Sequence, residues 1–117
     1  MNQENLKLAI IGLGYVGLPL AIEFAKNRSV VGFDIDDQRI EELEKGFDRT
    51  AELNALELSE TKNLKYSCNI KDLVNCDCFI ITVPTPIDDQ KKPDLSALFI
   101  ASSLVGSVLS KGNIVIY

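Results

Sequence analysis

Histidine is absent from the 117 residues. That removes the side chain that most often shuttles protons near neutral pH and most often binds metals, so a histidine-based catalytic or metal centre is excluded. Cysteine is scarce. Cys68, Cys76 and Cys78 are an odd count in a chain long enough to build its own core. A disulfide framework is therefore not expected, and a reducing, cytoplasmic setting fits better. Cys76-Asp77-Cys78 puts one residue between the sulfurs, which is neither the redox C-x-x-C spacing nor that of a zinc knuckle. Basic charge is short: 12 Lys and Arg stand against 17 Asp and Glu, for a net charge of −5. The span from Asp36 to Glu60 holds nine acids and three bases, so the remainder is close to neutral. No basic field exists to attract nucleic acid. Long apolar runs are missing too. Leu8–Ile22 is broken by Gly12, Gly14, Gly17 and Pro19 and preceded only by Lys7. It is too short and interrupted to span a membrane, and it lacks a signal-peptide cleavage site.

What is present is globular: 46% hydrophobic and 25% charged residues, with no low-complexity linker or internal repeat. A chain of this size buries roughly two-thirds of its unfolded surface, and one domain over residues 1–117 is the expectation. The pattern alternates along the chain. Leu6–Ile11 reads as a buried strand, Gly17–Lys26 as a helix with Leu18, Ala21, Ile22 and Ala25 inward, and Val30–Asp34 as a second strand. Gln38–Lys45 reads as a helix burying Ile40, Leu43 and then Phe47, stopped by Gly46. Glu52–Glu60 reads as a further acidic helix, Lys65–Cys68 as a third strand and Lys71–Val74 as a turn or short helix. Cys78–Val83 is a fourth strand closed by Pro84-Thr85-Pro86, and Asp88–Lys92 a polar loop. Asp94 is placed as the N-cap of a helix carrying Leu98, Ala101, Val105 and Leu109, ended by Gly112. Asn113–Tyr117 starts a fifth strand. Strand–helix alternation implies an α/β fold with a doubly wound parallel sheet between two helical layers. Right-handed crossovers give the strand order 3-2-1-4-5. The chain stops within an apolar strand pattern, so a longer parent, with this sheet truncated at its C-terminal end, is expected.

The sharpest motif is Gly12-Leu13-Gly14-Tyr15-Val16-Gly17, a G-x-G-x-x-G between a strand and a helix. Gly12 permits the tight turn, Gly14 lets a pyrophosphate approach the backbone, and Gly17 lets the helix pack close to the sheet. Amides near Tyr15 and Val16 then stand at a helix N-terminus, where free N–H groups favour phosphate. A packing turn alone would carry the same glycines, but the strand, helix and downstream acid are all in place. That acid is Asp34, 22 residues after Gly12, where a dinucleotide fold puts its ribose-binding carboxylate. A carboxylate there accepts from the ribose hydroxyls and repels a 2′-phosphate, which favours NAD over NADP. Asp36 and Asp37 compete for the role, although acids at a helix start also suit its dipole. Arg39, one turn into that helix, is able to reach the ribose or pyrophosphate side; an isolated charge more often lies at the surface. Thr85, held between two prolines, is assigned to the cofactor rim at the carboxyl end of the fourth strand, with a rigid turn as the alternative. None of the cysteines has a histidine partner, and none is nominated as a nucleophile.

AIIGLGYVGLPL, followed in order by VVGFDIDDQRI, ITVPTPID, KPDLSAL and KGNIVIY, resembles the UDP-glucose/GDP-mannose dehydrogenase family over nearly the whole chain. GLGYVGLP with VPTP is a specific pair. EKGFDRTAEL stands where UDP-glucose dehydrogenases carry an EPGL-type segment, and it is more similar to the UDP-N-acetylglucosamine/UDP-N-acetylgalactosamine 6-dehydrogenases of bacterial surface polysaccharide synthesis. The resemblance implies NAD as cofactor and a UDP-sugar substrate oxidised at C6, from alcohol to carboxylate, through a cysteine thiohemiacetal and thioester. It implies cofactor contacts at Tyr15, Val16, Asp34, Arg39 and Thr85. It also implies that the catalytic Cys, Lys and Asn or Asp, the STxxPG loop and the helical dimerisation region of a homo-oligomeric parent lie beyond Tyr117, leaving no catalytic residue in this chain. A β-hydroxyacid dehydrogenase shares the IGLG start, but it usually has Met at the position of Tyr15 and lacks VPTP. A stand-alone NAD-sensing module is the non-enzyme alternative.

Overall fold

The computed structural model describes residues 6–48 and 62–117. The expected helix at Glu52–Glu60 lies outside them. Strands β1 (Leu8–Ile11), β2 (Val30–Phe33), β3 (Leu64–Ser67), β4 (Cys78–Ile81) and β5 (Ile114–Ile116) form one sheet. Helices α1 (Gly17–Ala25), α2 (Asp37–Glu44) and α3 (Ser96–Val108) connect them, with a 3-10 turn at Ile70–Leu73. All four strand pairings are parallel, in the order β3-β2-β1-β4-β5. Leu8 lies beside Val30 on one side and Cys78 on the other, so β1 is central.

Alternation along β1 divides the core into two layers. Leu8 and Ile10 point to one face, where they meet Leu18, Ala21 and Ile22 of α1 and Ile40 and Leu43 of α2. Ala9 and Ile11 point to the other, toward Leu73, Phe79 and Ala101 and Val105 of α3. Each of these side chains is under 9% exposed, and full burial of a large one contributes roughly 1.5–3 kcal/mol. The sheet is therefore sandwiched, helices on both faces, as the alternating pattern implied. Among the described residues no helix is long and apolar enough to cross a membrane.

Several boundaries differ from the sequence reading. β1 begins at Leu8 rather than Leu6 and β2 ends at Phe33, so Asp34 is the first residue past the strand. β3 starts one residue early, and β4 stops at Ile81. Phe47 is exposed because Gly46, at φ +84°, turns the chain out of the α2 axis. Asp94 sits one position outside the cap of α3. Leu95 is the N-cap, and Asp94 Oδ1 accepts from the Ser96 N–H and Oγ–H instead. α3 ends at Val108, so Leu109 is extended and exposed, and Gly112 belongs to the following turn.

Candidate cofactor site

The glycine loop leaves the carboxyl end of β1 at the centre of the sheet. Gly12 has φ +102°, and a Cβ there would stand 3.0 Å from Val83 N, so both its conformation and its surroundings demand glycine. Leu13 turns inward, is fully buried, and lays its methyl groups over Gly32 of β2. Its peptide is held from both ends. The Leu13 N–H donates to Asp34 Oδ2 at 2.9 Å, and its carbonyl accepts from Arg39 Nε at 2.8 Å and Nη2 at 2.6 Å. A Cβ on Gly17 would overlap the Gly12 carbonyl oxygen and stand 2.5 Å from Thr82 Oγ1. The close packing expected at Gly17 is thus against the loop itself and the residue just past β4. Thr82 Oγ donates to the Gly12 carbonyl at 2.8 Å, with the Ile11 carbonyl at 3.2 Å. Gly14 differs from both: nothing lies within 4 Å of where its Cβ would be.

A cavity of about 450 Å³ opens at the carboxyl ends of the strands, walled by Gly12, Gly14, Asp34, Arg39, Pro84 and Ile100 among others. Of the residues singled out in the sequence, Gly12, Gly14, Asp34, its competitor Asp36 and Arg39 reach this wall. Tyr15 and Val16 lead into α1 and are exposed, Gly17 is buried behind the loop, and Thr85 is exposed beyond Val83 and Pro84, which line the cavity. Asp34 is oriented by two backbone donors, Leu13 N–H on Oδ2 and Asp36 N–H on Oδ1 at 3.0 Å. A carboxylate has about four lone-pair directions, so each oxygen keeps capacity for one more donor. Asp36 is the N-cap of α2, accepting from the Gln38 and Arg39 N–H groups. The dipole reading of the acids at this helix start therefore holds for Asp36.

Arg39 is not a surface charge. It is 3% exposed, and Nη2 pairs at 3.0 Å with Asp48, whose carboxylate is fully buried. Nη1 finds no hydrogen-bond partner among the described residues. Tyr66 completes this buried group. Its hydroxyl also lacks a partner there, and burial pushes its pKa up to about 12. Asp48, Thr82 and Gly32 were not singled out in the sequence. The hydroxyl immediately ahead of VPTP was a usable signal for Thr82; nothing marked Asp48 between Phe47 and Arg49. The thiols of Cys76 and Cys78 are buried, and burial raises the pKa of both, to about 11 for Cys76. Both are protonated and inert near neutral pH. Among the described residues no group of His, Cys, Asp or Glu is arranged to hold a metal ion.

Residues 6–117 match the model of the UDP-glucose/GDP-mannose dehydrogenase family, NAD binding domain. The chain is 57% identical over 114 residues to UDP-N-acetyl-D-glucosamine 6-dehydrogenase from Pseudomonas aeruginosa, covering 97% of this chain and 27% of that protein. It is 53% identical over 114 residues to the protein of the same name from Salmonella typhi, with the same coverage. A solved structure of UDP-D-ManNAc dehydrogenase from Pyrococcus horikoshii superposes with a TM-score of 0.88 at 36% identity, covering 94% of this chain and 27% of that one. The chain thus spans about a quarter of the length of these relatives. A match of this extent and identity decides against the β-hydroxyacid dehydrogenase alternative: the chain belongs to the UDP-glucose/GDP-mannose dehydrogenase family and comprises its NAD-binding domain.

Proposed function

We propose that this chain is the cofactor half of a nucleotide-sugar 6-dehydrogenase that oxidises the C6 alcohol of a UDP-N-acetylhexosamine to the uronate for surface polysaccharide synthesis. The single observation that carries the cofactor part is the empty space over Gly14. Gly12 and Gly17 are demanded by the fold, whereas a Cβ on Gly14 would touch nothing in the protein. Space kept open beside a helix N-terminus is space for a ligand. The helix agrees, since α1 has no side-chain cap and no acid in its first turn, while α2 has both. An uncapped, unopposed helix start favours an anion. The pyrophosphate belongs there, against the amides near Tyr15 and Val16. Asp34 takes the ribose hydroxyls, Arg39 fixes the loop, and Thr85 forms the rim on the β4 side.

NAD supplies a hydride acceptor when bound; the chain binds and orients it, and the burial of Cys76 and Cys78, the position of Cys68 off the cavity wall and the lack of histidine leave the proton and nucleophile work elsewhere. The substrate class rests on the names of the relatives at 57% and 53% identity. A homo-oligomeric, cytoplasmic parent that binds neither nucleic acid nor membrane is part of the same proposal.

Two measurements test it. Gly14→Ala should leave the melting temperature of the chain unchanged or slightly raised, because replacing an unstrained glycine restricts the unfolded chain by about 0.4–1 kcal/mol. The same variant should weaken NAD binding at least tenfold by calorimetry; an unchanged affinity would remove the pyrophosphate from this loop. For the substrate, the full reading frame assayed with NAD should reduce it with UDP-N-acetylglucosamine or UDP-N-acetylgalactosamine in preference to UDP-glucose.

A further inference from the structure

We propose that Asp48 is a specificity-determining residue of the cofactor site, excluding a 2′-phosphate by locking Arg39 away from it. The inference rests on the reading that Asp34 receives the adenosine ribose. The charged residues on the cavity wall are Asp34, Asp36 and Arg39. An arginine beside a ribose-binding carboxylate is the group best suited to a 2′-phosphate, because its planar fork matches phosphate oxygens and stays charged. By sequence alone Arg39 makes this site ambiguous. The structure removes the ambiguity through a residue nine positions further on.

The guanidinium is committed on two sides. Nε and Nη2 both donate to the Leu13 carbonyl, and Nη2 also pairs with the buried carboxylate of Asp48. With Arg39 neutralised by Asp48, and the Asp36 carboxylate engaged in capping α2, the charge that faces a 2′-phosphate is the Asp34 carboxylate, which has backbone donors but no cation beside it among the described residues, and the phosphate meets net repulsion. Arg39 Nη1 is buried with no acceptor among the described residues, so the guanidinium retains unused donor capacity next to the cavity. If the Asp48 charge is removed, Arg39 becomes an uncompensated buried cation, a costly state that an incoming anion relieves. A latent 2′-phosphate receptor is thus held shut by one ion pair, and Asp48 acts through Arg39 without touching the nucleotide.

The test is calorimetric titration of the 117-residue chain with NAD and with NADP, for the unmutated protein and for Asp34→Asn, Asp48→Asn, the double variant and Asp48→Glu, each checked for folding by circular dichroism. The unmutated chain should bind NADP at least tenfold more weakly than NAD. Asp48→Asn should raise NADP affinity at least tenfold relative to NAD, the double variant should raise it further, and Asp48→Glu should restore the original ratio. Asp34→Asn alone should weaken NAD while improving NADP less than tenfold, because it frees no cation. A folded Asp48→Asn with the original ratio overturns the proposal. If Asp48→Asn does not fold, Asp34→Asn decides: NADP bound as tightly as the unmutated chain binds NAD shows Arg39 to be already available and overturns the proposal, and persistently weak NADP upholds it. Unchanged NAD affinity in Asp34→Asn takes the ribose away from Asp34, a distinct failure of the underlying reading with which this proposal also falls.

Discussion

Tyr66 shows how single residues near the site trade stability against arrangement. Its hydroxyl is buried close to Arg39 and Asp48 but bonds to nothing among the described residues. An unsatisfied buried hydroxyl costs about 1–3 kcal/mol, so Tyr66→Phe should be neutral or stabilising by about 1 kcal/mol in urea denaturation. The same burial gives a pH dependence. The folded-state pKa of Tyr66 is raised from 10.0 to about 12, and that of Cys76 from 9.0 to about 11. The unfolded chain releases these protons first, so the stability they contribute is complete below pH 9 and drains away between about pH 9 and 12. Urea midpoints should fall from pH 8 to pH 11, and less steeply in Tyr66→Phe. At this scale the glycines and Asp34 were legible because each occupies a fixed offset from a strand end. The Arg39–Asp48 pair was not. Its partners are joined across the end of α2 and the turn at Gly46, and Asp48, between Phe47 and Arg49, stands at no fixed offset from a strand end or helix start that would single it out.

The elements were more legible than their ends. Period-two alternation and helical spacing are set by backbone geometry, so five parallel strands and their order followed from the pattern. Ends depend on local competition that a pattern does not record. Phe47 continues the spacing of Ile40 and Leu43, yet Gly46 has already reversed the chain. Asp94 has the chemistry of a cap, yet it bonds to Ser96 from one residue too early. β5 looks like a core strand in NIVIY, but it ends the sheet, and Ile114 and Ile116 are exposed. The start of α2 allows a sharp test, because Asp36 caps the helix while Asp34 faces the cavity loop. Asp36→Ala should lower stability by about 0.5–2 kcal/mol, the usual cost of a lost cap. It should leave the ratio of NAD to NADP affinity within twofold of the unmutated value, measured by calorimetry. A ratio as disturbed as in Asp34→Asn would make Asp36 the ribose carboxylate.

At the scale of the molecule, the carboxyl ends of the strands present a cofactor surface. Hydride transfer requires the nicotinamide and the reacting sugar carbon to be held face to face at near-attack distance. The described residues supply a cavity for one of those partners, walled largely by apolar side chains and backbone. A covalent stage at the aldehyde would need an ionisable thiol at the cavity, yet burial keeps Cys76 and Cys78 protonated and the exposed Cys68 does not line the cavity. Relatives that carry out the oxidation by name are nearly four times longer, since this chain covers 27% of them. The side of the molecule built from α3 and β5 leaves Phe99, Ile114, Ile116 and Tyr117 exposed, an apolar surface of the kind that further protein covers. The 117-residue chain should therefore bind NAD yet oxidise nothing. Mixed with NAD and either UDP-N-acetylglucosamine or UDP-N-acetylgalactosamine, it should give no NADH absorbance above a blank, while the full reading frame gives a clear rise with at least one of the two sugars. Steady turnover by the chain alone would place a catalytic group within these residues, and the exposed Thr85 and Cys68 would be the first to substitute.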